Sequence, residues 1–257
     1  MNKRAIFALI AIAVLSNLPS VTFAQSLRSD LMYCGTSQRM GADLYLGVGP
    51  FNEVSGCLPD GDTQALMVSR SGTITGNGAA WLAYLDAGGV IISEYSITHL
   101  VHNEIYGTGY AQGTRYGPCY DSSMPSLKLN TDHPFWQANT GLTETDPAVE
   151  GCGYDVSAIV NGEAAVTALG GWAQTPGISF AIRPQGAGVL WLLDKDWQDM
   201  NTGGYEEDSK NFMGALISGG TYSVGLLDAV PVPTLSTLGL LLLVAGMVYF
   251  SRRRIHT

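Results

Sequence analysis

Ionisable side chains with catalytic potential are concentrated in one short stretch near the middle of the chain. Glu94 and Tyr95 follow an apolar run, and His99, His102 and Glu104 come soon after them. A carboxylate near a histidine is a common general acid/base pair, because imidazole titrates close to neutral pH. Glu94 and His99 are therefore the candidate catalytic residues, and Tyr95 and His102 are candidate ligand contacts.

A divalent metal is a second interpretation of the same stretch. On a helix, His99 and His102 would lie one turn apart on one face, where Glu94 or Glu104 could complete a ligand set. The HExxH pattern of zinc peptidases is absent. We expect no cofactor, and keep the metal site at His99, His102 and Glu104 as a weaker alternative to a polar ligand site or a purely structural cluster.

Two further polar positions stand at predicted element boundaries. His133 precedes Pro134, which suits the first turn of a short helix. We expect His133 to cap or pack against that helix, with ligand contact as the alternative. Asp194 follows an apolar run at a predicted strand exit, where parallel sheets often place ligand groups, but its charged neighbours up to Asp199 indicate a solvated loop.

A βαβ unit is the clearest structural pattern. Residues 65–69 form an apolar run of strand length, 79–87 carry large apolar residues at helical spacing, and 90–93 form a second apolar run after two glycines. A strand, a helix and a strand within so short a stretch predict a parallel pair. The core should therefore be α/β.

The rest of the middle region supplies the remaining elements of one domain. Residues 98–129 are rich in glycine and tyrosine and predict a long surface excursion. Other strands are predicted at 29–34, 164–169, 178–182 and 189–193, and a closing helix at 206–217.

Both ends of the chain carry targeting patterns. Basic residues, an apolar run and a small-residue site ending at Ala24 predict a Sec signal peptide over residues 1–24, to be removed by signal peptidase. Residues 235–250 contain no charge and precede Arg252, Arg253 and Arg254. They would form a membrane helix about 24 Å long with its basic end in the cytoplasm. The domain at 25–229 would then face the periplasm.

Charge and cysteine content agree with export. The 25–229 segment has a formal charge of −14, from eight basic and 22 acidic residues, which argues against nucleic acid as a partner. The four cysteines, an even number, predict two disulfides in an oxidising compartment. They are Cys34, Cys57, Cys119 and Cys152. Three pairings are open, and proximity favours Cys34–Cys57 with Cys119–Cys152.

The C-terminal segment 230–257 resembles a known sorting signal. A short motif, an apolar helix and a basic cluster follow one another as in the PEP-CTERM signals of Gram-negative bacteria, here in their Ile-Pro-Thr-Leu (IPTL-CTERM) variant. The motif residues are Val232, Pro233, Thr234, Leu235 and Ser236, with valine where that variant usually has isoleucine. The resemblance implies recognition by an exosortase-type membrane protease and delivery to the cell surface or matrix, where a surface polysaccharide is a candidate partner.

The middle region resembles the class I glutamine amidotransferase-like superfamily, in particular its ThuA-like branch. The resemblance rests on residues 79–92, on His133-Pro134 and on residues 186–192 before the final helix. It implies a single flavodoxin-like domain with a mostly parallel sheet. The enzymes of the superfamily carry a cysteine nucleophile on a strand-to-helix elbow. The corresponding exit here, residues 93–96, has no cysteine, so glutamine hydrolysis is not expected. Glu94 stands where ThuA-like members often have a histidine.

These observations favour an exported surface protein whose domain has lost the cysteine chemistry and serves as a binding or structural module. The alternative is a hydrolase or carbohydrate-modifying enzyme that uses Glu94 and His99. It predicts an open pocket at the strand exit, with both side chains in reach of one water molecule.

Overall fold

The computed structural model describes residues 30–35, 51–116, 126–142, 153–172, 176–194 and 207–218. The predicted signal peptide at 1–24, the tail at 230–257 with its motif 232–236, and both Cys119 and Cys152 lie outside these ranges. No helix in the described ranges has both the length and the apolar composition needed to cross a membrane.

Ten strands and five α-helices are present within the described ranges. The strands are β1 (Asp30–Cys34), β2 (Asn52–Glu53), β3 (Thr63–Val68), β4 (Val90–Ser93), β5 (Arg115–Tyr116), β6 (Ser126–Lys128), β7 (Gly153–Tyr154), β8 (Thr167–Trp172), β9 (Ile178–Gln185) and β10 (Gly188–Leu193). The helices are α1 (Gly78–Asp86), α2 (Thr98–Tyr106), α3 (Pro134–Ala138), α4 (Ser157–Gly162) and α5 (Glu207–Ser218).

Eight strands form one mixed sheet in the order β2-β1-β3-β4-β10-β9-β8-β6. The first five pair in parallel and the last three are added antiparallel. Numbered along the chain, the parallel half has the order 2-1-3-4-5, which is the flavodoxin-like order. The prediction of a mostly parallel sheet therefore holds for one half only, because the hairpin β9–β10 turns the sheet antiparallel.

Helices cover both faces of the sheet, so the domain has three layers. On one face α1, α2 and α4 place Trp81, Val101 and Ile159 against the sheet. On the other face α3 and α5 contribute Phe135 and Phe212. All residues of β4 and β10 are buried, as expected for strands covered on both sides.

The predicted βαβ unit is confirmed: β3, α1 and β4 lie close to their predicted bounds, and β3 pairs with β4 in parallel. The predicted first strand and closing helix are also present. The strand predicted at 164–169 instead begins at Thr167 and ends at Trp172.

The prediction that residues 98–129 form a surface excursion is wrong for its first part. Residues 98–106 form α2, and Val101, His102 and Ile105 of this helix are buried. The helix ends at Gly107, which adopts the left-handed conformation that glycine accepts readily. Helical spacing of a few apolar residues among histidines is a weak sequence signal, and packing against the sheet decides the outcome.

Candidate functional site at the carboxyl edge of the sheet

A sharp elbow joins β4 to α2. Glu94 continues the extended strand, with φ −127° and ψ 153°. Tyr95 then turns into the left-handed region, with φ 53°, and a 3-10 turn over Tyr95–Ile97 leads into α2. This strand, left-handed residue and helix sequence is the backbone arrangement that presents a nucleophile in many α/β enzymes.

Two hydroxyl groups hold the elbow against β10. Ser93 Oγ donates to the Trp191 carbonyl at 2.8 Å, and Thr98 Oγ1 donates to the Leu193 carbonyl at 2.7 Å. Both residues are buried, so these bonds form away from water and tie the two sides of the elbow to the neighbouring strand. The elbow is therefore a fixed part of the sheet edge.

The apex of the elbow carries an aromatic ring. Tyr95 is half-buried, and its ring contacts Tyr154 of β7 edge-to-face, with centroids 4.9 Å apart. The guanidinium of Arg70 lies 5.8 Å from the same centroid, within the range of a cation–π contact. The ring therefore packs between two neighbours at the position where a nucleophile would stand.

Buried acidic groups lie at two adjacent strand ends. Glu94 is fully buried, and Asp194 is 1% exposed, so the prediction that Asp194 belongs to a solvated loop is wrong. The Asp194 amide donates to the Ser179 carbonyl at 3.0 Å, and its own carbonyl accepts from the Tyr154 amide at 3.1 Å. Because of these backbone hydrogen bonds, Asp194 belongs to the edge of the sheet.

A small cavity lies beside the elbow. Its walls include Tyr95, His99, Ala111, Gly113 and Tyr154, and its volume is about 10 Å³, close to the minimum for one water molecule. Glu94 is not among its lining residues. The structure therefore brings Tyr95 and His99 to one cavity and leaves Glu94 behind the elbow.

His99 and His133 are half-buried histidines with different surroundings. Burial lowers the pKa of His99, although a hydrogen bond to the Ser96 backbone opposes the shift. His133 is the N-cap of α3, and its Nδ1 accepts from the Phe135 amide at 3.2 Å. Burial lowers the pKa of His133 as well. The predicted capping role of His133 is thus present in the structure.

His102 belongs to a buried network on the α2 side of the sheet. Its Nε2 lies 2.8 Å from Nη1 of Arg183, and its Nδ1 lies 3.1 Å from the Thr108 hydroxyl. Arg183 also pairs with Glu163 at 3.3 Å and stacks over the ring of Tyr106. Burial, followed by the charge of Arg183, lowers the pKa of His102 to about 4. His102 is thus a neutral hydrogen-bonding residue of the interior.

Glu104 serves the neighbouring helix. Its Oε1 accepts from the amides of Gly76 at 2.7 Å and Gly78 at 3.4 Å, at the N-terminus of α1, where a negative charge is favourable. His99, His102 and Glu104 therefore have different partners. In the parts of the chain that the structure covers, no group of three or more His, Cys, Asp or Glu side chains is placed to hold a metal ion.

The disulfide predicted between Cys34 and Cys57 is confirmed, with Cα atoms 5.0 Å apart. Both cysteines are 1% exposed. The bond lies at the carboxyl end of β1, beneath Gly72, where an added Cβ would lie 3.0 Å from one sulfur and 3.1 Å from the other. It thus fills the sheet edge between β1 and β3, which is the switch point of a flavodoxin-like order and its usual ligand crevice.

Sequence reasoning missed two residues of these sites. Tyr154 reaches the elbow from β7, a strand of two residues that no pattern indicated. Arg183 lies in β9 directly after the apolar run 178–182. A lone basic residue at the end of an apolar strand was the available signal, since such a charge needs a partner once it is covered.

The strand order and the elbow define a flavodoxin-like α/β domain with tyrosine at a nucleophile-type elbow. No protein-family model matches the sequence, and no curated protein matches it. Among solved structures, it is similar to a ThuA-like protein from Bacteroides uniformis at 9% identity, with a TM-score of 0.46 over 78% of this chain and 95% of the other. It is also similar to PurLQS from Thermotoga maritima, at 13% identity and a TM-score of 0.44 over 74% and 97%. Likeness at this level carries no functional argument.

Proposed function

We propose that this chain is an exported protein of the cell surface or extracellular matrix. Its amidotransferase-like domain would serve as a binding or structural module. It would catalyse no hydrolysis at the elbow. Residues 1–24 would direct Sec export, and residues 230–257 would hold the domain in the inner membrane, facing the periplasm. An exosortase-type protease would then act near the motif at 232–236.

The single observation that carries the non-hydrolytic role is the side chain at the apex of the elbow. Tyr95 has the left-handed φ of a nucleophile position, and its ring is packed between Tyr154 and Arg70. The adjoining cavity has room for about one water molecule. The hydrolase alternative needs Glu94 and His99 at a common water, and only His99 lines that cavity.

The buried disulfide supports export. Disulfides persist in the periplasm and outside the cell, whereas cytosolic thiols are kept reduced. Cys34 and Cys57 are bonded in the core of the domain, so folding in an oxidising compartment suits this chain. A surface polysaccharide is the partner class that such a location offers.

Intact mass spectrometry of protein released from the cell surface tests the sorting proposal. The mature protein should begin at Gln25 and end near Val232 or Pro233. A substitution of Pro233 by alanine should leave the protein in the membrane fraction with its C-terminus intact. Surface protein that still carries Arg252 to Arg254 would contradict the proposal.

Turnover assays test the non-hydrolytic role independently. Purified wild-type protein should release no ammonia from glutamine. Its rate of hydrolysis of activated esters and glycosides should not exceed the rate of a Glu94→Gln/His99→Ala double variant. Turnover by the wild type that falls in each single variant would establish the hydrolase alternative.

A further inference from the structure

The segment 107–114, which we call the strap, crosses the elbow between α2 and β5. Ala111 and Gly113 of the strap form part of the cavity wall. Gln112 Nε2 donates to the Ser96 carbonyl of the elbow at 3.4 Å. The strap thus closes the cavity beside Tyr95 and His99 from the outside.

One side chain of α2 holds the middle of the strap. Asn103 Oδ1 accepts from the Tyr110 amide at 2.9 Å and from the Thr108 hydroxyl at 2.8 Å. Its Nδ2 donates to the Tyr110 carbonyl at 2.8 Å. Asn103 therefore bonds both backbone groups of Tyr110. We call these three hydrogen bonds of Asn103 the latch.

The latch continues into the buried network. Thr108, whose hydroxyl donates to Asn103, contacts Nδ1 of His102 at 3.1 Å. Tyr110 approaches Glu163 through its hydroxyl at 3.3 Å. The near half of the strap is thus held by side-chain hydrogen bonds and by the half-buried Tyr110 ring, whose centroid lies 5.6 Å from that of His102.

The backbone of the strap has little support of its own. From Thr108 to Thr114, the one backbone-to-backbone bond within the described residues runs from the Asp155 amide to the Thr114 carbonyl at 3.0 Å. Gly113 packs directly on Asp155, where an added Cβ would overlap the carbonyl oxygen. The far end is therefore tightly seated, and the near end depends on the latch and on the packing of the Tyr110 ring.

The near end also has open space around its glycines. Gly107 has φ 64°, and a Cβ added at Gly107 or Gly109 would meet no atom within 4 Å. Residues 107, 109, 111 and 112 are exposed. Tyr110 is the residue of the near end whose ring packs against the core, and segments with exposed backbone open at a lower free energy than the core.

We propose that the strap is a lid over the elbow cavity, hinged at Gly107 and latched by Asn103. Opening lifts Ala111 away from the cavity while Gly113 stays seated on Asp155, and it admits a ligand larger than water to the side chains of Tyr95, His99 and Tyr154. The inference does not depend on where the protein is sorted in the cell.

Native-state hydrogen exchange with mass spectrometry tests the lid in the wild type. Amides of the strap should exchange through a local opening whose rate is insensitive to low denaturant, while β3 and β4 exchange only through global unfolding. A strap that exchanges with the same denaturant dependence and protection as β3 and β4 would overturn the proposal.

Variants separate the latch from general stability. Asn103→Ala removes three hydrogen bonds of the latch, and strap exchange should accelerate roughly tenfold or more. Asn139→Ala is the matched control, because the side-chain Nδ2 of Asn139 donates to the Phe135 carbonyl of α3 at 2.8 Å, away from the strap, and this variant should leave strap exchange unchanged. Equal effects of the two variants would refute the latch.

Thiol labelling reports access to the cavity itself. Ile159 lines the cavity and is 1% exposed, so an Ile159→Cys thiol should react slowly in the parent and at least tenfold faster when combined with Asn103→Ala. If that combination does not fold, Thr108→Val, which removes the hydroxyl that bonds Asn103, replaces Asn103→Ala in both the exchange and the labelling measurements. An unchanged labelling rate in a folded latch variant would overturn the proposal that the strap is a lid.

Discussion

Nη1 of Arg183 lies 2.8 Å from Nε2 of His102, inside the domain. A guanidinium only donates hydrogen bonds, so Nε2 of His102 must accept and the imidazole is neutral. Its proton is therefore on Nδ1, which donates to the Thr108 hydroxyl, and that hydroxyl donates to Asn103. The contact between two residues on different elements thus fixes the tautomer and the direction of every bond up to the strap.

We expect the domain to lose stability as the pH falls below neutral. In the unfolded chain His102 takes up a proton near its ordinary pKa of 6.5, whereas in the folded domain its pKa is about 4. The unfolded state binds more protons across this window, so the free energy of unfolding decreases as the pH falls through it. Burial lowers the pKa of His99 and His133 in the same direction. Urea unfolding should show a loss of about 1–2 kcal/mol from pH ~7 to pH ~5.

The variant His102→Gln identifies the source of that pH dependence. Its amide oxygen can still accept from Arg183, but the side chain no longer titrates. The variant should have lower stability at neutral pH and a flatter dependence on pH. An unchanged slope would assign the effect to other groups.

A pair of substitutions at the elbow measures its backbone strain. Tyr95→Ala and Tyr95→Gly both remove the ring contacts with Tyr154 and Arg70, but only glycine adopts a φ of 53° without penalty. Tyr95→Gly should therefore be more stable than Tyr95→Ala by about 1 kcal/mol in chemical unfolding. Equal stabilities, or a more stable alanine variant, would contradict strain at this residue.

Reduction of the disulfide should destabilise the domain. The bond closes a loop with a sequence separation of 23 residues, for which the chain-entropy model predicts about 3 kcal/mol. Unfolding of the wild type should shift by this order on adding a reductant. A Cys34→Ala/Cys57→Ala variant should be less stable than the wild type before any reductant is added. Reductant should not lower its free energy of unfolding further through this bond. A wild type insensitive to complete reduction, verified by mass, would refute the stabilising role.

Neutralising Glu104 should weaken α1. Glu104→Gln keeps the shape of the side chain but removes the charge that accepts from Gly76 and Gly78, and we expect a loss of about 1 kcal/mol that shrinks at high salt. Glu53→Gln is the control, since Glu53 is exposed on the two-residue strand β2. An equal loss of stability in both variants would assign the effect to the overall charge of the protein and not to the bonds between Glu104 and the N-terminus of α1.

The local sequence pattern predicted those elements that can be recognised from residues close together along the chain. The apolar runs of β3, β4 and β10 and the helical spacing of α1 need no distant partner to be recognised. α2 was missed because its buried side includes His102, one of whose hydrogen-bond partners, Arg183, lies 81 residues away in the sequence. The hairpin between β9 and β10 was indicated by the glycine-bearing connection at 183–188. The antiparallel half was nevertheless underestimated, because the directions of β8 and β6 depend on pairing between segments far apart in sequence.

By itself the sequence determined the α/β class, the βαβ unit, the absence of cysteine from the elbow and the expectation of a Cys34–Cys57 bond, because each depends on residues close together along the chain. Only the tertiary structure decided that Tyr95 is the left-handed apex of the elbow, that Glu94 and Asp194 are buried, and that His102 and Glu104 bond Arg183 and the N-terminus of α1. The tertiary structure also places the strap against the elbow. Those properties depend on which strands are neighbours, and neighbours far apart in sequence leave no local pattern.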